Sequence, residues 1–115
     1  MDTSLPLIDR ATLLERVGGD EDLLREITSI FLSEYPELLR EIAAGIAASD
    51  TQRIEQAAHS LKGSVSNFGA QAATESAHRL EIIGRQGSIE EAPAAYTDLV
   101  SQFEQLQPVL ERLGE

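Results

Sequence analysis

The chain contains no cysteine and no tryptophan, and its aromatic residues are three Phe and two Tyr. Without cysteine there is no disulfide scaffold, no Cys-ligated zinc site, no CxxC redox pair and no thiol nucleophile. No stretch approaches the ~18 uninterrupted apolar residues of a membrane span. The opening Met1–Asp9 has neither a basic leader nor an apolar h-region, so no secretory signal is expected. Cations are also scarce, nine Lys and Arg against twenty Asp and Glu, for a net charge of −11. Affinity for phosphate backbones comes from Lys and Arg, so that balance argues against binding DNA or RNA. What remains is enough apolar content, 42 %, to build a core in a 115-residue chain, the size of one domain. The expectation is one acidic, soluble, cytoplasmic domain over residues 1–115 with no membrane insertion.

The acidity is uneven. Residues 1–49 carry ten acids and four arginines, and residues 88–115 carry six acids and one arginine. Between them Asp50, Glu55, Glu75 and Glu81 balance Arg53, Lys62, Arg79 and Arg85. A neutral segment inside an acidic chain reads either as chance or as a docking face for an acidic partner, which like charges would repel.

Strand signals are nearly absent, whereas helical periodicity runs throughout. Asp9 is placed to cap a short helix through Val17, with Gly18-Gly19 as its stop. Asp20 caps a long second helix whose expected apolar stripe is Leu24, Ile27, Phe31, Tyr35, Leu38, Ile42 and Ile46, with a kink expected at Pro36. Ser49-Asp50 opens a third, burying Ile54, Ala58, Leu61, Val65 and Phe68 and ending at Asn67-Phe68-Gly69. A fourth covers about 70–85, with Ala73, Ala77, Leu80 and Gly84 inward. Ser88-Ile89-Glu90-Glu91 has the pattern of a capping box for a last helix lined by Tyr96, Leu99, Phe103, Leu106, Leu110 and Leu113, with Pro108 bending or fraying its end. Short connections make neighbours antiparallel. The fold class is therefore all-α, an up-down-up-down four-helix bundle with a short N-terminal helix across one end.

The third helix has a face that helix stability does not explain. Glu55, His59, Lys62, Gly63 and Ser66 fall at i, i+4, i+7, i+8 and i+11, a line opposite the apolar stripe. Glycine at such an exposed interior position loses roughly 0.8–1 kcal/mol against alanine. Close approach of another surface would account for Gly63, and internal helix packing is the alternative. Lys62 is the only lysine beside eight arginines, a compact, mobile point charge suited to an anion.

Together these residues read Ala58-His59-Ser60-Leu61-Lys62-Gly63-Ser64-Val65-Ser66-Asn67-Phe68-Gly69-Ala70. This segment resembles the signature of histidine-containing phosphotransfer (HPt) domains, the phosphocarriers of two-component relays, and the resemblance extends over nearly the whole chain. It implies a four-helix bundle, phosphorylation of His59, and receiver-domain aspartates of response regulators as donors and acceptors. A cognate histidine kinase, possibly hybrid, would feed the relay. It implies no metal or other cofactor of its own, since the magnesium belongs to the receiver's acidic pocket. Physical chemistry agrees with those roles. A neutral imidazole is a nucleophile near pH 7, Lys62 offers a cation one turn away, and Gly63 and the small Ser64 leave clearance.

The antiparallel fourth helix adds His78 and Glu81, nineteen and twenty-two positions after His59. In the family the second offset is commonly Gln or Glu bonded near the imidazole, which implies that Glu81 orients the ring. A histidine at the first offset resembles the phosphoacceptor domain of chemotaxis-type histidine kinases; a half-exposed surface residue is the other reading of His78. A His59–His78 zinc pair is disfavoured because nothing completes the site. No glycine-rich phosphate loop or nucleophile elbow is present, so the chain is read as a carrier rather than a kinase or hydrolase. Two alternatives stay open: the chemotaxis-type phosphoacceptor, and a helical binding module with no phosphoryl chemistry.

Overall fold

Asp9, Asp20 and Asp50 each sit in extended backbone and turn a carboxylate onto the first free amides of the helix that follows. An N-cap of this kind satisfies donors that helix geometry leaves orphaned. A computed structural model of the chain describes residues 8–115. Its helices are α1 (Arg10–Arg16), α2 (Glu21–Ala47), α3 (Thr51–Ser66), α4 (Gln71–Gln86) and α5 (Ala92–Leu113), with a 3-10 turn at Ile89–Glu91 before α5. No strand occurs among the described residues. The long helices pack in a ring, α2 on α3, α3 on α4, α4 on α5, and α5 back on α2, which is the expected four-helix bundle. The short α1 lies against one end, where Arg16 donates Nη1–H to the carbonyl of Asn67 at 3.2 Å.

The core is continuous, from Ile8 and Leu13 at that end to Leu113. Its aromatic centre gathers residues far apart in sequence. Phe31 stacks on Phe68 at 4.9 Å between centroids, and Tyr35 on Phe103 at 4.7 Å. Phe68 is thereby an anchor: its burial fixes the end of α3, and Gly69, at φ +69°, turns the chain into α4. All inward residues expected of α3 and α4 are buried.

Two expectations are corrected. On α2 the buried line passes through Thr28 rather than Ile27, which is 36 % exposed. Thr28 is tolerated in the core because its hydroxyl donates to the Leu24 carbonyl at 2.7 Å. The capping box at Ser88 does not form, since that side chain makes no capping bond and residues 89–91 adopt the 3-10 turn. This tighter turn lets Ile89 pack on the core, and α5 then starts at Ala92 with Pro93 in its first turn, where a missing N–H is harmless. Pro36 and Pro108 both lie inside helices, which run on to Ala47 and Leu113.

Candidate functional site

Small residues let α3 and α4 approach closely. A Cβ on Gly84 would lie 2.7 Å from the Glu55 amide nitrogen and the Thr51 carbonyl oxygen, so the two backbones meet there without a side chain between them. Ala57, Ala58, Ala73 and Ala77 keep the rest of the seam thin. At that separation a glutamate on α4 can reach the outer face of α3. Glu81 does so while remaining 3 % exposed.

Four side chains converge on its carboxylate. His59 places Nδ1 2.7 Å from Oε2, and Lys62 places Nζ 2.6 Å from Oε1. Arg85 donates Nη2–H to Oε2 at 3.1 Å, and His78 Nδ1 stands 3.3 Å from Oε1. The hydrogen bond from Lys62 is the largest influence holding the Glu81 carboxyl down to about 2, with His59 and His78 adding to it and burial opposing. Glu81 is therefore a carboxylate at neutral pH and can only accept. That fixes the tautomer of His59, because Nδ1 must carry the proton it donates. The Nε2 lone pair is left free, on a side chain 67 % exposed to solvent.

The structure thus brings together four residues singled out in the sequence, His59, Lys62, His78 and Glu81. The reading of Lys62 as a mobile cation is corrected: its side chain is 28 % exposed and its ammonium is held on Glu81. A buried carboxylate one helix away accepts from it in a charge-assisted hydrogen bond. Gly63 and Ser64 lie outside the cluster. Gly63 is exposed and a Cβ there would meet nothing within 4 Å, which removes internal packing as its explanation. Ser64 lines a groove on the α2 side with Ile27, Ile30, Phe31, Glu34, Asn67 and Phe68.

Arg85 and Glu55 are participants that sequence reasoning did not assign. Arg85 donates Nε–H to Glu55 Oε2 at 3.1 Å while holding Glu81, bridging carboxylates on two helices. The signal was present as the i, i+4 spacing of Glu81 and Arg85. Both line a shallow polar groove of about 500 Å³ with Gln52, Gln56, His59 and Ser60. Among the described residues no helix is long and apolar enough to cross a membrane.

The family model described as Hpt domain matches residues 26–113. The crystal structure of histidine-containing phosphotransfer protein B (HptB) from Pseudomonas aeruginosa PAO1 is similar over 95 % of each chain, with a TM-score of 0.86 and 28 % identity. No curated protein matches the sequence.

Proposed function

The chain belongs to the Hpt domain family, phosphocarriers of His-Asp phosphorelays, and from that premise we infer that His59 Nε2 is the atom that carries the phosphoryl group. The observation that carries this reading is the pairing of an exposed Nε2 lone pair with an Nδ1–H locked onto a buried carboxylate. In the forward step Nε2 attacks the phosphorus of a receiver's aspartyl phosphate. The P–N bond forms, the P–O bond to the carboxyl breaks, and the aspartate departs with the electron pair. The proton on Nδ1 is neither gained nor lost. Its bond to Glu81 stabilises the positive charge that the ring acquires. In the reverse step the same proton lets the ring leave as neutral imidazole.

The remaining site residues fit supporting parts. Lys62 fixes Glu81 and keeps a positive charge one turn from the reacting nitrogen. Gly63 gives a receiver room to bring its aspartate to His59. The Ser64 groove continues that surface onto α2, where Leu23, Ile27 and Ile30 are exposed apolar residues suited to a protein contact. The chain is read as depending on partners for phosphoryl supply, with the magnesium on the receiver. The test is incubation with a phosphorylated receiver domain, followed by mapping of acid-labile phosphate. Label is expected on His59 and absent from His59→Gln, whose melting temperature should stay close to the parent because the side chain is exposed and the glutamine amide can still donate to Glu81. Label that persists in His59→Gln, or that resists acid, defeats the assignment.

A further inference from the structure

Glu81 offers one negative charge to four donors, and they divide its oxygens in pairs. Oε2 is shared by His59 and Arg85, Oε1 by Lys62 and His78. A lone carboxylate beside an imidazole N–H favours the imidazolium, since it stabilises the added charge. An imidazolium has no lone pair at Nε2 and cannot accept a phosphoryl group. Orientation by Glu81 therefore carries a penalty for nucleophilicity unless other charges offset it.

The charges facing His59 are balanced. On its own helix stand Glu55 and Lys62; α4 contributes Glu81, Arg85 and the titratable His78. The helix α2 packs on the other side of α3, where its Glu41 is bonded to Arg53 at 2.8 Å, away from this cluster. Two carboxylates thus meet two permanent cations, and Arg85 touches both carboxylates. We propose that Arg85 is a positioning residue that allows Glu81 to orient His59 without protonating it. It does so by drawing on the same oxygen that His59 uses and by neutralising Glu55. The inference rests on His59 being the phosphoryl carrier.

The test follows the ring resonances of His59 and His78 by NMR as pH is varied, alongside the initial rate of labelling by phosphoramidate. Removing the charge in Arg85→Gln leaves two carboxylates against one lysine. The titration midpoint of His59 should then rise by about half a unit to one unit, as expected for one partly screened charge a few ångströms away. The acidic limb of the labelling profile should move with it, so that labelling within that limb is about 3–10-fold slower at fixed pH, the same shift expressed as a rate ratio. Glu55→Gln should move both readouts in the opposite direction, and Arg85→Lys should restore most of the parent behaviour. A residue that merely held the helices together would lower labelling at every pH without moving the limb. A His59 midpoint that stays in place or falls in Arg85→Gln, or that rises in Glu55→Gln, overturns the proposal. Glu55→Gln decides the matter alone if Arg85→Gln does not fold. Failure of the parent protein to take label on His59 would instead refute the carrier assignment, which the titration does not depend on.

Discussion

Replacing Gly63 with glutamine should strengthen the fold and stop transfer between proteins. Gly63 lies in the interior of α3, and a Cβ there meets nothing within 4 Å, so the new side chain enters open solvent without strain. Removing a mid-helix glycine then leaves only the propensity gain, about 0.5–1 kcal/mol. For a domain of this size that corresponds to a rise in melting temperature of roughly 2–4 °C. The same side chain stands four residues from His59 on the same face, in the space a receiver must occupy to bring its aspartate to Nε2. Transfer from a phosphorylated receiver should fall by orders of magnitude, while labelling by a small donor such as phosphoramidate, which needs no docking, should be affected far less. The assay is melting temperature, receiver transfer rate and phosphoramidate labelling measured on one variant. A lower melting temperature would mean that the glycine serves packing, contrary to the open space seen around it. Undiminished receiver transfer would mean that docking does not use this face.

Glu81→Gln tests the buried carboxylate through acid stability. The Glu81 carboxyl is lowered from 4.5 to about 2 in the fold, so its contribution is complete above pH 4.5 and is lost as pH falls towards 2. The parent should lose stability across that window more steeply than Glu81→Gln, as followed by chemical denaturation at each pH; parallel curves would refute the assignment. Gly84→Ala should destabilise by about 1–3 kcal/mol, because its Cβ would meet the backbone of α3 and the helices must part. It should also weaken the His59–Glu81 bond, visible as altered ring titration of His59, and an unperturbed spectrum would show that the seam is more pliant than its geometry implies.

Helix number, order and most of the α3 and α4 core were legible because their apolar residues recur on one face without competition. The first half of α2 was harder for a definite reason. Leu23, Ile27 and Ile30 have the same i, i+4, i+7 spacing as Leu24, Thr28 and Phe31, one residue later, so periodicity alone cannot choose between the two lines. Hydrophobicity favours a line through Ile27. The structure buries the one through Thr28, because Phe31 must reach Phe68 and the threonine hydroxyl finds a carbonyl on its own helix. The stripe left outside borders the Ser64 groove. At the site, spacing put His59 and Lys62 on one face of α3 and the family resemblance implied Glu81 beside the ring, with His78 open, but neither said which oxygen of Glu81 each donor would take. That depends on side-chain reach across the seam between α3 and α4, and it is why Lys62 was expected to be mobile and Arg85 was passed over.

Three glycines inside helices show where sequence stops and structure begins. Gly45, Gly63 and Gly84 carry the same propensity penalty and look alike in a string of letters. In the fold they do different things. A Cβ at Gly45 would meet Ile54 Cγ1 at 2.9 Å, and one at Gly84 would meet the backbone of Glu55 and Thr51, so both serve the approach of neighbouring helices to α3. Only Gly63 faces empty space. The first two draw α2 and α4 against the helix that bears His59, and Gly84 in particular sets the separation across which Glu81 can bond Nδ1. The third leaves the outer face of that helix open one turn beyond His59. Tight packing behind the histidine and clearance in front of it are therefore complementary requirements. The first fixes the ring so that Nε2 points outward, and the second lets a macromolecular acceptor come within bonding distance of it. A helix bundle needs the first kind of glycine to pack; the second kind has no packing role and fits the proposed docking of a receiver at His59.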